Sequence, residues 1–117
     1  MARQDSGASG NRRERVAAAL SRLAPRLPGF EAGAILERAL KSPGLRGAAP
    51  ETAARLALIA YARHVFTDYD ALLAEGYDRD SARHFVLDDL DAVLAMWGAA
   101  PIPEADAATG PDESSGP

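Results

Sequence analysis

The sequence contains no cysteine, two histidines and one lysine, and aromatic residues make up only 6% of it. Without cysteine the chain has neither a disulfide framework nor a thiolate nucleophile, and two histidines are too few for the usual four-ligand structural zinc sites. No apolar run reaches the roughly 18 residues of a membrane helix, and the first residues lack the basic-then-apolar layout of a signal peptide. We therefore expect a cytoplasmic protein without a cofactor and without membrane contact.

The motifs of common catalytic sites are missing as well. No serine lies in a GxSxG elbow, no glycine-rich phosphate loop follows a strand, and neither HExxH nor a paired ExxH is present. Ser21, Ser42 and Ser81 have no evident base nearby. These absences predict a protein that is not an enzyme.

The 117 residues of the chain are enough for one domain. Residues 1–11 are mostly small and polar, and residues 99–117 hold four of the eight prolines and one large aliphatic residue, Ile102. Because such segments bury little apolar surface, we predict two disordered tails, the C-terminal one acidic and proline-rich, around a helical domain at residues 12–98. Twelve of the 13 basic residues are arginine, which indicates a GC-rich bacterial coding sequence.

The apolar residues of this domain follow a helical spacing nearly throughout, and no stretch alternates with a period of two. Prolines and glycines interrupt the spacing and mark the turns. The pattern predicts an all-α fold, a small bundle of about five helices with a long C-terminal helix. The predicted helices cover about residues 12–24, 31–41, 50–66, 68–75 and 79–97.

Local capping patterns define the second half of the bundle. Thr67 is followed three residues later by Asp70, which predicts a capping box at the start of the fourth helix. Gly76 fits the left-handed position after that helix, and Asp78 can cap the fifth helix. Along the fifth helix an apolar stripe follows the i, i+3, i+4, i+7 pattern: Ala82, Phe85, Val86, Leu90, Val93, Leu94 and Trp97.

The segment RHVFTDYDALL at residues 63–73 is distinctive, and Gly76, Arg79 and Trp97 continue its pattern. Together these residues resemble the domain of unknown function 2293 family, a group of uncharacterised and mostly bacterial proteins. The resemblance covers about residues 20–98, and the RHxxTDYDxLL motif is its specific part. It implies a helical fold and brings no established activity, substrate or cofactor.

We predict that the protein is a small helical interaction or regulatory module that binds another protein. Polar residues of the motif that capping does not require are candidate contacts, because binding residues are common on loops and helix ends. The sequence also allows these residues to be buried and to serve folding alone, and it leaves monomer and homodimer open. The candidate binding residues are Arg63, His64, Asp68, Tyr69, Arg79 and Arg83.

The charge is polarised along the chain. Residues 1–46 carry a net charge of +5, residues 47–98 a net charge of −5, and the C-terminal tail −4. A basic cluster near the N-terminus offers an alternative function, a nucleic-acid-binding accessory factor. Against it, no aromatic residues alternate with the arginines, and the net negative charge of the chain opposes nucleic-acid affinity. The cluster consists of Arg12, Arg13, Arg15, Arg22 and Arg26.

Around Gly76 the helix lengths also fit a helix-turn-helix. The second helix of this unit is acidic, which is unfavourable in a groove lined with phosphates. We therefore predict helix-turn-helix geometry without a DNA-binding role.

A second alternative is a metal-binding protein, with a metal-dependent hydrolase as its catalytic form. His64 and Asp68 are four residues apart, as are His84 and Asp88, so each pair would share a face of a continuous helix. Thr67 is expected to end the helix between the first two residues, which separates their side chains. We therefore predict no metal site, and the alternative requires His64, Asp68 and His84 to converge.

Overall fold

The structure, a computed structural model, describes residues 10–102. All regular secondary structure in this range is helical, so the predicted all-α class is confirmed. None of these helices is long and apolar enough to cross a membrane. The six helices of the described range are α1 (Arg12–Leu23), α2 (Gly29–Lys41), α3 (Pro50–Phe66), α4 (Tyr69–Ala74), α5 (Arg79–Phe85) and α6 (Leu87–Met96).

The central helix of the fold is α3, which contacts α1, α2 and α6. Alanines dominate its buried surface. Small side chains allow helix axes to approach closely, because the interaxial distance depends on the side chains at the contact. The buried residues of α3 are Ala53, Ala54, Ala57, Leu58, Ile59, Ala60, Ala62 and Arg63.

Larger apolar side chains of the surrounding helices complete the core. The loop before α3 adds Leu45, which is fully buried although its segment is rich in glycine and proline. Burying a Leu, Ile or Val side chain contributes roughly 1.5–3 kcal/mol. The helical members of this set are Val16, Leu20, Ile35, Leu90 and Leu94.

The first helix begins with a capping box that the sequence analysis did not identify. Asn11 Oδ1 accepts a hydrogen bond from Glu14 N (2.8 Å), and Glu14 Oε1 accepts one from Asn11 N (3.2 Å). These bonds satisfy backbone donors that a helix N-terminus otherwise leaves without partners. Asn11, which we had assigned to the disordered tail, is therefore part of the helical domain.

The long C-terminal helix expected at residues 79–97 is not found as one helix. It is divided into α5 and α6 at Val86, whose φ of −99° and ψ of 5° depart from helical values. Backbone hydrogen bonds from Val86 N to Ala82 O (3.2 Å) and from Leu90 N to Val86 O (2.8 Å) span the break. The division allows α5 to pack against α4 while α6 packs against α3. The described residues therefore form six helices rather than five.

The C-terminal boundary of the domain lies beyond the predicted residue 98. Gly98 adopts a left-handed φ of 82° and ends α6. The chain then returns to the core, where Ile102 is buried and its N–H donates to Asp91 Oδ1 (3.0 Å). The predicted disorder is therefore wrong for residues 99–102, and the rest of both predicted tails, residues 1–9 and 103–117, lies outside the described residues.

The helices α2 and α3 are joined by a hydrogen bond in which the Tyr61 phenol donates to Glu31 Oε1. This bond is the main reason that the pKa of Tyr61 is raised from 10.0 to about 12, and burial and the charge of Glu31 add to it. The pKa of tyrosine in an unfolded chain is about 10. The resulting stabilisation is therefore fully present below pH 10 and is lost as the pH rises towards 12.

We expect Glu31→Gln to move the pKa of Tyr61 back towards 10, because a neutral amide oxygen accepts a weaker hydrogen bond from the phenol than a carboxylate does and adds no negative charge beside it. Titration of ¹³C-labelled tyrosine by NMR measures this pKa. Glu37→Gln is a suitable control, since Glu37 lies on the same helix and contacts Arg13 and Lys41 instead. An unchanged Tyr61 titration in Glu31→Gln would contradict the assignment.

Candidate functional site

The distinctive motif of the sequence lies where α3 leads into a hairpin formed by α4 and α5. Gly76 occupies the turn with a φ of 106°. Hydrogen bonds from Tyr77 N to Leu72 O (3.1 Å) and from Gly76 N to Leu73 O (3.0 Å) close the end of α4 in a Schellman arrangement. A side chain at Gly76 would be strained in this backbone conformation. The glycine thus sets the angle at which the chain turns into α5.

Asp78 begins the second helix of the hairpin. Its Oδ1 accepts a hydrogen bond from Ser81 N (2.7 Å), the arrangement of an N-cap. The bond with the backbone N–H of Ser81 lowers the pKa of Asp78. The turn of the hairpin is therefore fixed on one side by a glycine and on the other by a cap.

The capping box expected from Thr67 and Asp70 is not formed. Thr67 Oγ1 donates to Arg63 O and accepts from Tyr69 N (3.2 Å), while Asp70 Oδ1 lies 2.6 Å from His64 Nδ1. The N-cap residue of α4 is Asp68, whose side chain makes no capping hydrogen bond. The reason is that only two residues separate α3 from α4, so the Thr67 hydroxyl is held against the last turn of α3. The Asp70 carboxylate consequently pairs with α3 instead of with the backbone at its own helix start.

Tyr69 is the centre of this junction, and none of its surface is exposed. The Arg63 guanidinium lies 5.5 Å from the centroid of its ring, and the His64 ring meets it edge-on at 5.2 Å. A guanidinium over an aromatic ring is attracted by the negative face of the ring. Tyr69 also packs in a small apolar cluster, separate from the main core, with Leu72, Leu73, Ala82 and Val86.

The six candidate binding residues divide into two groups. Tyr69, Arg63 and Arg83 are buried, the two arginines to 2% and 4% exposure. Asp68 and Arg79 are exposed, and His64 is partly exposed. The structure thus brings Arg63, His64 and Tyr69 together at one junction and buries three of the six candidates.

Among the described residues, the ligand cluster that the metal-binding alternative requires is not formed. His64 Nδ1 faces Asp70 rather than Asp68, and the exposed His84 has its ring beside Phe85, 6.3 Å between centroids. Within residues 10–102 no three His, Cys, Asp or Glu side chains are grouped so that they could hold a metal ion. The convergence that this alternative requires is therefore not found in the described part of the chain.

Two exposed aromatic residues at the hairpin were not identified as candidates from the sequence. Tyr77 is 44% exposed and Phe85 is 58% exposed, and their rings pack against each other edge-on at 5.4 Å. Phe85 was expected in the buried stripe of the fifth helix. Ala82, Val86, Leu90 and Leu94 are buried at four-residue spacing on both sides of the break, and Phe85 lies beside this row, with its ring against Tyr77 instead of against the core. No sequence pattern marks such a pair, because it depends on which side of the stripe the neighbouring helices cover.

The basic cluster of α1 makes contacts within the chain. Arg13 Nη2 lies 2.8 Å from Glu37 Oε2, and this contact is the main cause of the lowered pKa of Glu37. The Arg15 side chain is exposed. The other three arginines hold intramolecular acceptors: Arg12 donates to Leu45 O (2.8 Å), Arg22 to Glu51 Oε1 (3.2 Å), and Arg26 to Ala95 O (2.9 Å) and Met96 O (3.3 Å).

A depression between α1 and α2 is lined mainly by apolar residues, including Leu20, Leu27 and Leu36. None of the described residues that line it is acidic, basic or a histidine.

A family model described as "uncharacterized conserved protein (DUF2293)" matches residues 19–98 of the chain. The matched range includes the junction and the hairpin. No curated protein and no solved structure gives a significant match.

Proposed function

The chain belongs to the DUF2293 family of uncharacterised conserved proteins, and we propose that it is a small non-enzymatic module that binds another protein through its α4–α5 hairpin. The proposal rests mainly on the side chains of Tyr77 and Phe85, which pack against each other at the hairpin and are each about half exposed to solvent. Aromatic side chains are enriched at protein interfaces, where their burial supplies much of the binding energy. We name these two residues the aromatic pair.

The buried residues of the motif hold this surface in a fixed position. Tyr69 and Arg63 attach the hairpin to α3, and Gly76 and Asp78 fix its turn. A surface that is rigid before binding loses less conformational entropy when the partner arrives. Arg63, Tyr69 and Arg83 thus act as positioning residues in this proposal, whereas Asp68 and Arg79 are exposed and belong to the contact surface.

A non-catalytic role is also proposed from the sequence, which lacks cysteine and the motifs of common active sites. A protein partner is favoured over nucleic acid because four of the five arginines in the basic cluster already hold acceptors within the chain. The preference for arginine over lysine further leads us to propose a bacterial source. We propose the cytoplasm as the location.

The test is affinity capture with the full chain as bait, comparing Tyr77→Ala/Phe85→Ala with the unsubstituted protein. We expect recovery of the specific partner to fall at least about tenfold, because truncating central aromatic residues of an interface costs about 2 kcal/mol or more. Phe30→Ala is the matched control, since Phe30 is also an exposed phenylalanine, 82% exposed, and lies outside the hairpin. Its recovery should stay within about twofold of the unsubstituted protein.

Quantitative mass spectrometry gives the recoveries, and circular dichroism checks that each variant retains its helices. Equal recovery of the same partners by the double variant and by Phe30→Ala would refute the hairpin as the binding surface.

A further inference from the structure

We propose that the partner segment on the hairpin is cationic and amphipathic: an apolar side chain contacts the aromatic pair, and flanking Lys or Arg side chains contact the surrounding carboxylates. The inference rests on the proposed function and specifies the chemistry of its partner. It rests on two features that occur together: exposed aromatic rings on the hairpin, and exposed carboxylates on the hairpin and at the start of α6 that form no ion pair with another described residue.

The negative charge of this region is large. Residues 67–91 contain eight acidic residues and two arginines, Arg79 and Arg83, and Arg83 is buried. Three of the carboxylates already have contacts, since Asp70 faces His64, Asp78 caps α5 and Asp91 accepts from Ile102. Within residues 10–102 the following exposed side chains form no ion pair with another described residue: Asp68, Glu75, Asp80, Asp88 and Asp89.

These carboxylates lie close to the aromatic pair along the chain. Asp88 and Asp89 follow Phe85 by three and four positions, in the first turn of α6. Asp80 follows Tyr77 by three positions, in the first turn of α5. Each ring therefore has exposed acidic residues within four positions of it along the chain.

The negative charge of this surface determines which class of partner can bind to it. Nucleic acid, anionic lipid headgroups and acidic peptides would bring like charge against the carboxylates, which is destabilising. A second copy that docks symmetrically through the same hairpin would place two acidic surfaces opposite each other. The basic cluster of a second copy is also a poor occupant, because most of its arginines hold acceptors in their own chain. A basic, amphipathic segment of another protein fits both the aromatic pair, through an apolar side chain, and the carboxylates, through its Lys or Arg side chains.

The experiment uses three fluorescent 16-residue peptides with one apolar helical pattern and Lys, Gln or Glu at every polar position, titrated with the full chain by fluorescence anisotropy. We expect the Lys peptide to bind at least about tenfold more tightly than the Gln peptide and the Glu peptide to bind most weakly. Tyr77→Ala/Phe85→Ala should weaken the Lys peptide about tenfold, and Phe30→Ala should leave its affinity unchanged. Asp88→Asn/Asp89→Asn should weaken it severalfold and reduce its salt dependence.

Comparable binding of the three peptides would overturn the cationic assignment. So would Lys-peptide binding that is insensitive to Tyr77→Ala/Phe85→Ala, since such binding would reflect net charge alone. The two proposals remain distinguishable: a native partner whose capture still needs the aromatic pair leaves the interaction surface in place, and only the charge class fails. If capture and peptide binding are both independent of the pair, both proposals fail.

Discussion

Replacement of Tyr69 by alanine is expected to lower the free energy of unfolding by about 3–5 kcal/mol, the usual range for a buried aromatic residue truncated to alanine. The Tyr69 ring is completely buried between the end of α3 and the hairpin. Its removal leaves a cavity in the small apolar cluster and takes away the aromatic face beside the Arg63 guanidinium. The hairpin has few other apolar contacts, so little can compensate.

The matched control is Tyr77→Ala in the same hairpin. Tyr77 is half exposed and packs on Phe85 alone among the aromatic rings of the described residues, so we expect a loss of no more than about 1 kcal/mol. Urea denaturation followed by circular dichroism measures both values. A loss for Tyr69→Ala no greater than that for Tyr77→Ala would show that the junction does not depend on the buried ring.

The two tyrosines also separate folding from binding. Tyr69→Ala should reduce partner capture only as far as it unfolds the hairpin, whereas Tyr77→Ala should reduce capture in a protein of nearly normal stability. Comparison of capture with the fraction folded therefore identifies which residue contacts the partner.

Ala57→Leu on the central helix is expected to destabilise the fold by about 2–3 kcal/mol, because extra methylene groups in a close-packed core force neighbouring side chains and backbone apart. Ala57 is fully buried, with Ala53 four residues before it and Ala60 three residues after it on the same face of α3. The larger side chain would push apart helices that alanine allows to approach closely.

The control for this change is Ala92→Leu on α6, an exposed alanine at which leucine meets solvent. We expect its stability to stay within about 0.5 kcal/mol of the unsubstituted protein. Thermal unfolding by circular dichroism compares the two variants. If Ala57→Leu were as stable as Ala92→Leu, the alanine face of α3 would not be closely packed.

The main outline of the fold could be predicted from the sequence because its causes are local. Helical spacing of apolar residues placed α1 to α4 to within about two residues, and proline and glycine marked the loops between them. The family resemblance was based mainly on residues 63–73, which lie at the end of α3 and in α4. These features depend on side chains close to one another in the chain, where periodicity and backbone preference act directly.

The division of the last predicted helix could not be found in this way. Val86 lies in an unbroken apolar stripe, and nothing next to it in the sequence requires a break. The break arises because α5 and α6 must bury their apolar faces against different helices. The exposure of Phe85 and the pair that it forms with Tyr77 likewise depend on which side of the apolar stripe the neighbouring helices cover.

The roles of the motif residues likewise depended on tertiary structure. The sequence by itself determined an all-α chain, a glycine turn after α4 and an excess of acidic residues in the hairpin. Only the three-dimensional packing decided that Tyr69 and Arg63 are buried, that Asp70 faces His64 instead of capping α4, and that Ile102 belongs to the core. The physical reason is that spacing along a helix fixes which residues share a face, whereas the partner of each face is set by residues distant in the sequence.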